Sequence, residues 1–176
     1  MRRRDVVTFL IGAAAAWPLA ARAQQSGRYA AALEKAKREY EKMPHPSEAA
    51  RADYLTRLVR LREQAARGKT NEWQAIDAEI KRHPAPVTGG ETYSRLRAGK
   101  WQSPRHDYLY RADGSWTMLP EEPDVTHGRW RIEGNRSFET AATEPPVDSQ
   151  YTIILITKKD FVFTDQTTVF YEKRLK

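Results

Sequence analysis

The chain has 176 residues, no cysteine, and 30 lysines and arginines against 23 aspartates and glutamates. That length holds one domain or two small ones and excludes a large multidomain enzyme; the missing thiols exclude disulfides, thiolate catalysis, Cys-ligated zinc and iron–sulfur clusters. The basic excess lies early, with four arginines against one aspartate in residues 1–24, 13 basic against 9 acidic residues in 25–87, and 13 against 13 in 88–176. A neutral second half predicts no nucleic-acid partner, because such a partner needs a basic patch on the folded domain.

Residues 1–23 read as a signal peptide. Arg2, Arg3 and Arg4 form a positive start, Val6 to Ala16 is an apolar stretch of the usual length, and Ala21 and Ala23 are small residues before Gln24. This predicts cleavage after Ala23 and a periplasmic product. The stretch is too short and alanine-rich for a good membrane span, so the cleaved chain is expected not to span a membrane. Arg3-Arg4-Asp5-Val6-Val7 also fits a twin-arginine core; a general secretory leader with a long basic start is the alternative.

Residues 24–87 read as a helical region. Tyr29, Ala32, Leu33, Ala36, Tyr40 and Met43 recur at helical spacing until Pro44 and Pro46. Ser47 suits the N-cap of a second helix, with Tyr54, Leu55, Leu58, Val59, Leu61 and Ala65 on its apolar face. Gly68 is placed to end that helix in the left-handed conformation. Asn71 and Gln74 suggest a capping box before a third helix carrying Trp73, Ile76 and Ile80. The short connection predicts that helices two and three form an antiparallel hairpin. Pro84-Ala85-Pro86 and Gly89-Gly90 read as a linker, stiff and then flexible.

From residue 88 onward the period shortens to two. Strands are predicted at about 99–103, 107–112, 115–119, 127–133, 136–141, 150–157, 160–164 and 167–174. The turns between them carry Asp113-Gly114, Gly134-Asn135, Lys159-Asp160 and Asp165-Gln166. Tyr151 to Ile156 is almost continuously apolar, which predicts cover on both faces. Eight strands with tight turns make either a sandwich or an up-and-down barrel, and closure favours the barrel because it leaves no edge.

Several of these segments resemble the small bacterial lipocalin-like domains. They are Gly99-Lys100-Trp101, Arg111-Ala112-Asp113-Gly114-Ser115-Trp116, Gly128-Arg129-Trp130-Arg131-Ile132-Glu133-Gly134-Asn135, Asp160-Phe161-Val162-Phe163-Thr164-Asp165 and Phe170-Tyr171-Glu172-Lys173-Arg174. The resemblance implies an α+β chain, with an N-terminal helical hairpin or bundle followed by an antiparallel eight-stranded lipocalin-like up-and-down β-barrel over 88–176. It also implies that Gly99, Trp101 and Arg174 close the barrel, the guanidinium covering the indole where first and last strands meet.

No catalytic signature stands in the chain. His45, His83, His106 and His127 show no metal-ligand spacing, and no nucleophile elbow, phosphate loop or dinucleotide fingerprint is present. No metal, no cofactor and no enzymatic activity are therefore expected. The expected function is that of an exported binding module whose barrel takes a small apolar or amphipathic ligand. Tyr108, Tyr110, Trp116, Trp130 and Tyr151 are the candidate liners, with core packing an equal reading for each. The alternative is an interaction or inhibitor module that meets a periplasmic protein through its helices, the barrel rim or the acidic loop around residues 120–124. A hydrolase on the same barrel ranks below both.

Overall fold

The structure is a computed structural model that describes residues 27–120 and 126–176. The predicted signal peptide and all but Pro120 of the acidic loop lie outside the described residues. The chain divides into two compact units between Ile80 and Lys81.

The first unit is helical. Helix α1 covers 27–41, α2 covers Glu48–Arg67 and α3 covers Trp73–Lys81. Leu33 and Ala36 of α1 are buried, whereas Met43 is 44% exposed because the helix has already ended. Tyr40 stacks on Tyr54 with ring centroids 4.3 Å apart. Ser47 caps α2, its Oγ accepting the Ala50 N–H at 3.1 Å. Tyr54 donates to Glu79 at 3.0 Å and Arg62 to Asp77 at 3.3 Å, so α2 and α3 share polar contacts. Gly68 departs from expectation. It is right-handed, with φ −71°, and the left-handed residue is Lys69, with φ 54°. Close approach accounts for the glycine instead, because a Cβ there would stand 3.3 Å from Tyr29 Oη.

The second unit is a closed antiparallel barrel in up-and-down order. Its strands are β1 Gly99–Gln102, β2 Asp107–Tyr110, β3 Ser115–Leu119, β4 His127–Glu133, β5 Arg136–Ala141, β6 Val147–Ile156, β7 Asp160–Thr164 and β8 Val169–Arg174. Each pairs with its chain neighbours, and β1 meets β8 through Trp101 opposite Arg174. The ring is complete, so a sandwich is excluded. Strand β6 starts three residues earlier than predicted and bulges between Ile153 and Leu155. Ile153, Ile154, Leu155 and Ile156 are all buried, as a run without polar alternation demands.

The segment read as a linker is folded. Ala85 is buried, its N–H donates to the Ile153 carbonyl at 2.8 Å, and its carbonyl accepts from Asn135 Nδ2 at 2.8 Å. A short 3-10 turn at Val87–Gly89 leads into α4, Gly90–Arg97. Glu91 in the first turn and Arg95 and Arg97 in the last suit the helix dipole. Tyr93 and Leu96 pack against the barrel core, and that packing holds a helix too short to be stable alone.

Candidate functional site

Alternation along the strands sends two glutamates into the barrel. Ser137, Glu139 and Ala141 share one face of β5, and Phe170, Glu172 and Arg174 share one face of β8. Arg97 meets both acids. It is the last residue of α4, two positions before β1 begins, and it has no exposed surface. Nη1 donates to Glu172 Oε2, and Nη2 donates to Glu139 Oε1 at 3.2 Å. The guanidinium carbon lies 3.5 Å from the Tyr110 ring centroid and 4.1 Å from that of Phe161. Tyr110 Oη donates to the second oxygen of Glu139 at 3.3 Å, and Trp101 Nε1 donates to the Arg97 carbonyl at 2.6 Å. The centre of the barrel is therefore an ionic cluster wrapped in aromatic rings.

Its electrostatics follow from burial and an uneven charge count. Burial opposes the Arg97 charge, but Glu172, Tyr110 and Glu139 outweigh it and hold the guanidinium above its ordinary range. Burial pushes the Glu139 carboxyl up against the pull of Arg97, and the neighbouring Glu172 pushes the same way. Burial also raises the Tyr108 phenol, with Glu172 and Glu139 adding to it. Tyr151 is raised by burial and by Glu139.

A raised carboxyl makes stability depend on pH in a definite direction. Glu139 contributes fully below its unfolded value of about 4.5, and that contribution is lost as the pH rises through its higher folded value. Glu139→Gln removes this proton. The stability difference, wild type minus variant, is expected to fall as the pH rises above about 4.5 in urea titrations. A flat or rising difference would place the buried proton elsewhere.

The five candidate liners all face inward. Tyr108, Tyr110 and Trp116 lie 6.0–6.3 Å apart, and Trp130 meets Tyr110 edge-on at 5.9 Å. Trp130 also donates to the carbonyls of Arg111 and Ser115, each at 3.0 Å, and so ties down the β2–β3 turn. Tyr151 belongs to a second ring group, 4.9 Å from Phe163 and 5.7 Å from Phe170. Tyr108, Tyr151 and Phe170 keep partial exposure although they point inward. Three buried polar atoms lack a hydrogen-bond partner here: Arg97 Nε, Trp116 Nε1 and Ser137 Oγ.

At the opposite end, Arg174 lies 5.1 Å over the Trp101 ring and donates to the carbonyls of Leu96, at 3.2 Å, and Ala98. Gly99 makes room for it. Its φ is +138°, and a Cβ would stand 2.3 Å from Arg174 Nη2. Gly99→Ala is expected to lose about 1–3 kcal/mol from backbone strain, plus whatever the displaced Arg174 forfeits, read from urea midpoints. An unchanged midpoint would mean that the first strand re-forms without that contact.

Sequence reasoning missed Arg97, Glu139 and Glu172. The readable signal was an acid on the apolar parity of a strand, since Glu172 alternates with Phe170 and Arg174. Arg97 had none, because a terminal helix arginine is ordinarily solvated. Among the described residues, no group of three or more His, Cys, Asp or Glu could hold a metal ion, and no helix is long and apolar enough to cross a membrane. Comparison of the chain with protein-family models, curated proteins and solved structures returns no match.

Proposed function

We propose that this protein is an exported, non-enzymatic binding module of lipocalin-like type, released in the periplasm by cleavage after Ala23, whose barrel holds a small apolar or amphipathic molecule. The observation that carries the reading is an inward-facing ring group that the fold leaves partly uncovered. Tyr108, Tyr151 and Phe170 face inward yet stay partly exposed. A core built only for stability gains by covering such rings, since burying apolar surface is worth about 25 cal/mol per Å². Polar groups held deep in an apolar cup are also what orients a ligand.

The test is fluorescence on the mature chain. An environment-sensitive apolar dye is expected to brighten on binding, to be displaced by a medium-chain alcohol, and to quench part of the tryptophan emission. Replacing Tyr151 by aspartate is expected to weaken dye binding about tenfold or more, by putting a charge at the mouth. Silence of the wild-type chain toward dye and alcohol would sink the pocket reading and move the function to a protein partner. Intact mass of the exported form checks the leader: a product beginning at Gln24 is expected, and a retained N-terminus contradicts it. Replacing Arg3 and Arg4 by lysine is expected to block export by the twin-arginine route. Unchanged export points to the general secretory route.

A further inference from the structure

The charges within the Arg97 cluster do not balance. Arg97 carries one positive charge and answers to two carboxylates. Its side chain is fully covered, and that of Glu172 is 5% exposed, while Glu139 keeps 14% of its side-chain surface open. Of the three charged side chains, Glu139 therefore keeps the most open surface and Arg97 keeps none. The other inward cation, Arg174, is held at the closed end by the carbonyls of Leu96 and Ala98. Ring faces surround this cluster, and aromatic faces attract cations and repel anions. Ser137 supplies an independent sign of a ligand. It lies on the same face of β5 as Glu139, two residues away, it is fully buried, and its Oγ has no partner. Leaving a buried hydroxyl unmatched costs stability, which a hydrogen-bond donor brought to it would recover.

We propose that the barrel selects an organic cation, an amphipathic amine whose ammonium is directed at Glu139 with Ser137 Oγ beside it and whose apolar body lies against Tyr108, Tyr151 and Phe170. This rests on the ligand-binding reading above. The ammonium offers donors only, which suits a carboxylate and a free hydroxyl oxygen. A fatty-acid carboxylate in the same place would confront Glu139 with like charge in a poorly solvated setting, a repulsion that excludes it.

Titration of the wild-type mature chain with decylamine, decanol and decanoate at neutral pH, all below micelle formation, separates the two readings. Decylamine is expected to quench the tryptophans with at least about tenfold higher affinity than decanol, equivalent to 1.4 kcal/mol, and decanoate is expected to bind most weakly. Equal affinities, or a preference for decanoate, overturn the cation assignment and leave the binding module intact. No response to any of the three overturns both. Glu139→Gln, checked for folding by circular dichroism, is expected to bring decylamine down to the affinity of decanol. A folded variant that keeps the preference for the amine places the selectivity outside this cup and overturns the assignment. The comparison of the three probes is made on the wild-type chain and so stands whether or not that variant folds.

Discussion

Replacing Arg97 by methionine is expected to destabilise the barrel by about 3–5 kcal/mol at neutral pH, the usual consequence of stranding a buried charge. The guanidinium answers to Glu139 and Glu172 and lies against the Tyr110 and Phe161 rings. Methionine fills much of the volume and returns some apolar contact, so the loss is chiefly electrostatic. Two signatures separate this from a packing defect. The loss shrinks as the pH falls, because the stranded carboxylates take up protons. Adding Glu139→Gln and Glu172→Gln to Arg97→Met recovers most of it, because a neutral interior has no charge left to compensate. Urea denaturation of the single and triple variants reads both effects. A single variant within about 1 kcal/mol of wild type would show that the carboxylates do not depend on Arg97. A triple variant no better than the single one would assign the loss to shape.

Trp101→Ala is the second large effect, at about 3–5 kcal/mol. The indole has no exposed surface, it packs 6.0 Å from Phe161, and its N–H holds the carbonyl of Arg97. Removing it opens a void at the junction of α4, β1 and β8. Arg174→Ala alone is expected to lose about 1–2 kcal/mol, from the cation–π contact and the packing of its stem. Because the two side chains touch, the losses are expected to be non-additive, with a coupling of at least about 0.5 kcal/mol in a double-mutant cycle. Coupling indistinguishable from zero would mean that the ring stacking contributes nothing to closure and that backbone pairing alone joins β1 to β8.

Locally encoded features were legible from the residues themselves. The period-two alternation of segments such as Gly128-Arg129-Trp130-Arg131-Ile132 marks a strand with one covered face. Asp113-Gly114 marks its turn, since the Asp113 carboxylate accepts from the backbone and side chain of Ser115. Ser47 marks a helix start by the same logic of a short oxygen near free N–H groups. Each of these depends on neighbours within a few residues, so each can be read in one pass along the chain. The inward set of aromatic residues follows from alternation once the barrel is accepted.

What the tertiary structure alone decided is longer in range. Helix α4 is eight residues long and opens on Gly89-Gly90, so neither length nor composition announces it; contact of Tyr93 and Leu96 with the barrel makes it a helix. Its last residue, Arg97, finds Glu172 across 75 positions of sequence and Glu139 across 42. No local pattern links those three residues, because a charge is tolerated in the interior only where an opposite charge arrives from another element. Composition and periodicity therefore determine eight short strands with a shared set of covered rings, while the closure of those strands into one ring and the sign and position of the charge at its centre exist only once the strands have met around Arg97.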